Sequence, residues 1–530
     1  MKHICKITVM IILPVVVLLH LSCAGSRNKP HDGEMEETIT YDETMNIRYN
    51  ETRQVIDGFG GSDAWASLPR DTAAANEIVK LLFSRTEGMG FTILRSRIPF
   101  RERLTGDDEP GLNDGFVVRK SDDTYDYTVD GAGIKTFNLN WNCWELSGTR
   151  DVIRRIKNLD DDGPEKLTIM SVPWTPPNNR VTRWKEDVTG LGDLNGAIDW
   201  KTPDWWGRLK KDKYNDYADL LADYVKNFEE RMGAPLAILS VQNEPNWKVK
   251  YESCYWDGID IRNFLRVIGQ RFPRKGIALA APNGVGIMAP EYENFNVNFD
   301  EMIKPSLDDP NTNNVLTHIA LHQYNGAYDS SRQAGTFLIP GIAESGKKFW
   351  QTEVSGSGPM LPKGSGIENA LYYARMIHFD MTLAQTNAFL YWWLWTNSSD
   401  ADFSGSLIRA AGDSVNAATR LYVMGQYSRF IRPGWIRLDA DASPCANVYS
   451  SAYRNPQTDE IAVVIINDSY SDAHIAITLH GAKFSSLDAW RTSSTEKLKS
   501  LGNHKLPEGN ANVSLPSMSV TTFYGHILPD

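Results

Sequence analysis

The chain has 530 residues, 42% hydrophobic and 23% charged, with a formal net charge of −11. That balance supports a packed core and excludes wholesale disorder. So acidic a chain is a poor partner for a polyanion, so nucleic acid is not expected as a ligand. Its 16 Trp and 21 Tyr either fill a large core or offer flat apolar faces in a cleft, and composition alone does not separate the two.

The first segment reads as an address rather than as structure. Lys2 and Lys6 precede an apolar run, Ile7–Leu19, and Leu21-Ser22-Cys23 follows. The run is short for a membrane span and close to the terminus, as in a secretory signal over residues 1–23. Cys23 at its end is similar to the lipidated Cys of a bacterial lipoprotein, although His20 stands where that pattern has Leu. The expectation is a secreted protein, periplasmic or at the outer membrane or cell surface. It would touch a membrane only through a lipid on Cys23. Residues 24–37 are polar and serve as a linker. Cys5, Cys143, Cys254 and Cys445 complete the cysteines; their spacing is neither a disulfide framework nor a metal motif.

Residues 38–53 alternate as β-strand and are expected to join a β-domain. From 54 to 430, short apolar runs alternate with helical patterns. The strand candidates are Gln54–Ser62, Thr92–Phe100, Leu167–Trp174, Leu236–Pro245, Gly276–Gly284, Leu316–Gly326, Phe349–Gly356 and Asn387–Asn397. Near-continuous apolar runs suit strands buried on both faces. The clearest helices are Tyr214–Met232 and Ile367–Ala384, each with a single apolar face. Eight such units predict an α/β fold, a closed (β/α)8 TIM barrel. An open doubly wound sheet is disfavoured because no Gly-x-Gly-x-x-Gly follows a strand. Residues 101–148 and 175–212 interrupt the pattern after strand ends, on the face where barrel enzymes build their sites. Residues 431–530 alternate with turns and read as an antiparallel β-sandwich domain.

Most carboxylates are solvated surface groups. Glu244 and Glu353 differ by context: they end the apolar runs Leu-Ser-Val-Gln-Asn-Glu-Pro (239–245) and Phe-Trp-Gln-Thr-Glu-Val-Ser-Gly (349–356). Both fall at C-terminal strand ends, on strands four and seven, where a barrel projects catalytic groups. Two converging carboxyls suit acetal hydrolysis, one as proton donor and the other as nucleophile or charge stabiliser. A gap of about 5–5.5 Å implies retention of configuration and about 6.5–9.5 Å implies inversion.

Several motifs in order resemble glycoside hydrolase family 30. They are Val-Ile-Asp-Gly-Phe-Gly-Gly-Ser-Asp-Ala-Trp (55–65), Ile-Leu-Arg (93–95), Pro-Trp-Thr-Pro-Pro (173–177), Ser-Val-Gln-Asn-Glu-Pro (240–245), His-Gln-Tyr (322–324) and Trp-Gln-Thr-Glu-Val-Ser (350–355). The resemblance covers residues 40–530 and implies a retaining mechanism, with Glu244 as acid/base and Glu353 as nucleophile. It implies that Asn243 bonds the sugar 2-hydroxyl, that Tyr324 orients the nucleophile and that Trp174 walls the sugar site. Arg95 could hold Glu353 ionised, with Arg97 as its competitor on the same strand face. His322 is read as a contact to sugar or Glu, and no metal or other cofactor is expected. Asp63, Trp65 and Trp247 join the candidate substrate-binding residues. Of the tryptophans ending strand eight, Trp393 or Trp395 is expected to floor the site by alternation.

The segment Tyr-Glu-Ser-Cys (251–254) resembles the xylanase branch of that family. The loop after strand eight, Thr396–Arg409, lacks the paired Arg with which glucuronoxylan-specific members grip glucuronate. Arg409 is its one cation, and Asp400 and Asp402 would repel a uronate. The expected partner is a polysaccharide or oligosaccharide, with endo-β-1,4-xylanase activity first and endo-β-1,6-glucanase or β-1,6-galactanase as alternatives. A non-catalytic surface glycan-binding protein is the reading from another class. A monomer is expected.

Overall fold

A computed structural model of the protein describes residues 40–41, 43–99, 116–117, 129–130, 133–134, 138–139, 141–177, 184–186, 207–249, 252–280, 284–324, 339, 341–356, 363–397, 405–506 and 510–529. Cys23, Tyr251, Asp400, Asp402, the signal, the linker and most of both insertions lie outside them.

Eight parallel strands close on themselves: Gly58–Ser62, Ile93–Ile98, Thr168–Pro173, Ile238–Ser240, Gly286–Met288, Leu316–His322, Lys348–Glu353 and Ala388–Thr396, the last pairing both with the first and with the seventh. This is a closed TIM barrel with helices around it. A hairpin, Ser406–Ala411 and Ser414–Ala417, extends its last strand. The first strand is glycine-rich because its neighbours press on it. A Cβ on Gly60 would lie 1.9 Å from the Ile93 carbonyl oxygen.

The fifth strand corrects the expected run Gly276–Gly284. The ladder begins at Gly286, and Val285 instead bonds back to Ala278 and Ala280. Pro282 breaks the apolar run, and a residue without an N–H does not serve a central ladder.

Inward side chains fill the lower barrel: Ile93, Met170, Ile238, Met288, Ala320, Trp350, Ala388 and Leu390 form one buried layer. On strands two, six and eight the same face reaches the barrel mouth two residues further on, at Arg95, His322 and Trp392. The helix Tyr214–Met232 buries its apolar stripe against the outside of the barrel and ends at Gly233, whose φ of 83° is the left-handed cap glycine favours. The helix Thr72–Phe83 starts where Asp71 accepts a hydrogen bond from the Ala74 amide at 2.8 Å.

Apart from three two-stranded pairs, the remaining strands among the described residues make one nine-stranded sheet. Glu43–Val55 lies within it, antiparallel to Ile436–Ala440 and parallel to Ala473–His480. Residues from both ends of this sheet share a single core, including Met45, Ile47, Val463, Ile475, Phe484, Val513 and Phe523. Two of its strands, Lys499–Asn503 and Ala511–Leu515, are too short and polar to have been marked in the sequence. Cys143, Cys254 and Cys445 are free thiols.

Candidate active site

At the C-terminal ends of the strands the inward layer turns polar. Arg95 follows Ile93 by two residues and is fully buried. Its guanidinium serves three acceptors: Glu353 Oε2 at 2.6 Å, Asn243 Oδ1 at 2.6 Å and Glu291 Oε1 at 3.0–3.1 Å. His322, also fully buried, places Nδ1 3.0 Å from Glu244 Oε1 and 3.9 Å from Glu353 Oε1. Tyr324 donates its hydroxyl to Glu353 Oε1 at 2.8 Å. Glu244 and Glu353 are 6% and 5% exposed, and a carboxylate oxygen of each, together with a His322 nitrogen, lies within 4.8 Å of the others. Glu244 adopts φ 41°, a conformation few non-glycine residues take, and such local strain concentrates at functional sites.

The electrostatics follow from burial and pairing. Burial opposes the His322 imidazolium, but the charges of Glu353, Glu244 and Glu291 prevail and push its pKa up to about 9. In its charged form it donates to Glu244. Burial also works against the Glu291 carboxylate, yet Arg95 and His322 hold it down to about 2. The Glu353 carboxyl is raised: burial pushes it up, the His322 and Arg95 charges pull it back, and the Glu244 charge adds to the rise. Burial keeps the Tyr324 phenol protonated, hence a donor.

Trp65, Trp174 and Trp392 pack at the mouth, with ring centroids 5.2–5.8 Å apart. The Arg95 guanidinium carbon lies 5.0 Å from the centre of Trp174. Trp247, in the loop after strand four, is 50% exposed and presents a free apolar face. Arg97 does not compete for Glu353; it bridges Glu145 and Glu252 beneath Trp65. Asp63 accepts from Thr149 at 2.7 Å, and burial raises its carboxyl to about 7. His318 sits lower in the barrel beside Trp350 and Thr317, away from these groups.

Of the strand-eight tryptophans expected at the site, Trp395 lies away from the mouth, whereas Trp393 packs against the cluster there. Ala388 and Leu390 face inward, so the parity that reaches the mouth is that of Trp392. Trp395 has no exposed surface, lies in the outer core and donates its indole N–H to Ser67 O at 3.0 Å. Trp393 is half-buried at the rim, stacked on Trp392 at 5.2 Å, and donates to Ala64 O. Glu291 was missed from the sequence. The run Met-Ala-Pro-Glu (288–291) ends a strand in a carboxylate just as 239–244 does, but the strand had been placed too early to make use of it.

Residues 200–408, which hold both Glu244 and Glu353, match the family model of O-glycosyl hydrolase family 30. The chain is 26% identical over 499 residues to glucuronoxylanase XynC of Bacillus subtilis strain 168, with 93% of each chain covered. It is 27% identical to the family 30 subfamily 8 xylanase Xyn30A of Clostridium acetobutylicum, whose solved structure it matches with a TM-score of 0.65 over 91% of this chain and 99% of that one. A family 30 endoxylanase from Clostridium papyrosolvens C71 shares the fold at 24% identity and a TM-score of 0.66, over 91% of this chain and all of that one. With a closed barrel and a buried glutamate pair at its mouth, the protein is a retaining O-glycosyl hydrolase of the two-glutamate kind, similar to those of family 30.

Proposed function

We propose that the protein is an endo-acting, retaining β-1,4-xylanase in which Glu244 is the acid/base and Glu353 the nucleophile. The observation that carries this is the approach of their carboxylate oxygens to within 4.8 Å. That leaves no room for the water an inverting enzyme holds between its carboxyls. Glu353 takes donors from Arg95 and Tyr324 with His322 behind them, whereas the side-chain donor to Glu244 among the described residues is His322. These donors orient Glu353 as the nucleophile.

With sugar bound, Glu244 gives that proton to the glycosidic oxygen as the bond to C1 breaks. Glu353 adds to C1, forming a glycosyl ester with inverted configuration. Glu244, now a carboxylate, takes a proton from water, whose oxygen attacks C1 and expels Glu353, so the configuration is restored. Asn243, its side-chain oxygen held by Arg95, has its amide N–H2 available for the 2-hydroxyl.

Xylan as substrate is supported by the relatives named glucuronoxylanase and xylanase and by residues 251–254. Export to the cell surface on a Cys23 lipid, supported by residues 1–23, and action as a monomer complete the reading. A panel of xylan, β-1,6-glucan and β-1,6-galactan, scored for reducing ends and product sizes, tests the activity. Short xylo-oligosaccharides are expected. Cleavage of a β-1,6-glycan with xylan untouched would reject the substrate, and binding without cleavage would make the protein a glycan binder. Radiolabelled palmitate should enter the wild type but not Cys23→Ser.

A further inference from the structure

Glu291 has no role in the chemistry above, yet its carboxylate is completely enclosed. It follows the fifth strand with φ 56°. Its backbone ties neighbouring strand ends together: the Glu291 N–H donates to Ala320 O at 2.8 Å, and its carbonyl accepts the Glu244 N–H at 3.0 Å. On the side chain, Oε1 accepts from Arg95, Oε2 accepts from Ser240 at 2.7 Å, and His322 Nε2 lies 3.6 Å from Oε1. An apolar side chain would fill this space without the cost of burying a charge. It would not match two cations at once.

Those cations are the ones that touch the working carboxyls, Arg95 on Glu353 and His322 on Glu244. We propose that Glu291 is a positioning residue for the acid–base steps, its carboxylate holding Arg95 and His322 in place and in their charged forms. The proposal rests on the roles assigned to Glu244 and Glu353. The groups facing Glu291 are Arg95 from strand two, Ser240 from strand four and His322 from strand six. Behind Arg95 stand Glu353 and Asn243; behind His322 stands Glu244. Tyr324 caps Glu353, and Glu293, on the same segment as Glu291, lies near Glu244. The cluster holds three buried carboxyls, Glu244, Glu291 and Glu353, and two cations, so removing one negative charge lowers the proton affinity of the groups around it. The low folded-state pKa of Glu291 and the high one of His322 agree with this coupling.

Glu291→Gln is nearly isosteric and removes only the charge. Its kcat should fall about tenfold or more, with KM within a few-fold, and the bell-shaped kcat/KM profile should move to lower pH by about one unit. Glu291→Asp restores the charge and should return the profile to its wild-type position with partial recovery of kcat. A folded Gln variant with an unmoved profile, or an Asp variant no better than Gln, would overturn the proposal. If the Gln variant does not fold, the Asp variant decides alone: its shorter reach should lower kcat severalfold with the profile in place, and a wild-type kcat rejects the role. Glu353→Gln, run in parallel, separates the two readings. If it retains turnover, the assignment of the pair fails. If it is inactive while Glu291→Gln keeps the wild-type profile, only the role of Glu291 fails.

Discussion

Arg95 Nη1 stands 2.6 Å from Glu353 Oε2, with Arg95 wholly buried and the Glu353 side chain 6% exposed. The same guanidinium reaches Glu291 and Asn243, so one side chain orients three groups on three other strands. Arg95→Met would leave two buried carboxylates without their cation. It should cost roughly 3–5 kcal/mol of stability and reduce turnover severely. Lys offers a single point of charge and cannot reproduce the fork. Urea unfolding and kcat of both variants check this; a wild-type Arg95→Lys enzyme would refute it.

Removing the acid/base should be repairable from outside. Glu244→Ala should lose activity on xylan but recover part of it with azide on aryl glycosides with good leaving groups, yielding the β-glycosyl azide. Glu353→Gln should fold, bind and not turn over. An α-azide product, which signals a lost nucleophile, would exchange the two assignments.

The His322 pKa, raised from 6.5 to about 9 in the fold, makes stability depend on pH with a definite sign. The contribution is complete below about 6.5 and is lost as pH rises through 9, on the order of 3 kcal/mol. Glu291, lowered from 4.5 to about 2, works the other way. Its contribution is present above 4.5 and is lost as pH falls through 2. Urea midpoints of wild type and His322→Gln should converge between pH 6 and 9.5. A constant gap would mean that His322 is neutral in the fold.

Trp392 and Trp395 should fail differently. Trp392→Ala opens the wall shared with Trp65 and Trp174 and should lower kcat/KM at least about tenfold. Trp395→Ala removes a fully buried ring and should cost about 3–5 kcal/mol of stability. Kinetics paired with denaturation separates them. The opposite pattern would restore the first assignment by alternation.

Removing glucuronate from xylan should change the rate only a few-fold, because the loop Thr396–Arg409 has no paired Arg for bidentate capture of a carboxylate. Rates on native and enzymatically deglucuronidated xylan measure this. An absolute requirement would mean that another cation grips the uronate.

Some of this was legible in one dimension. Continuous apolar runs separated by helical stripes already imply a parallel sheet covered by helices, and eight such units without a Gly-x-Gly-x-x-Gly after a strand favour the closed barrel over an open sheet. A carboxylate ending such a run is marked by its own neighbours, which is why Glu244 and Glu353 stand out, and the resemblance to family 30 tied Arg95, Asn243, His322 and Tyr324 to them. Partnership was not legible. Arg95 and Arg97 share a strand face, and only the tertiary structure gives Glu353 to one and Glu145 with Glu252 to the other. The parity of strand eight depended on which residue starts the inward layer, and Ala388 with Leu390 settles it for Trp392. Glu291 stayed hidden because its strand has a three-residue ladder behind a broken apolar run. Its neighbours in space, Arg95, Ser240 and His322, are 196, 51 and 31 residues away in the chain. A buried charge is defined by what surrounds it, and closure of the barrel alone brings those surroundings together.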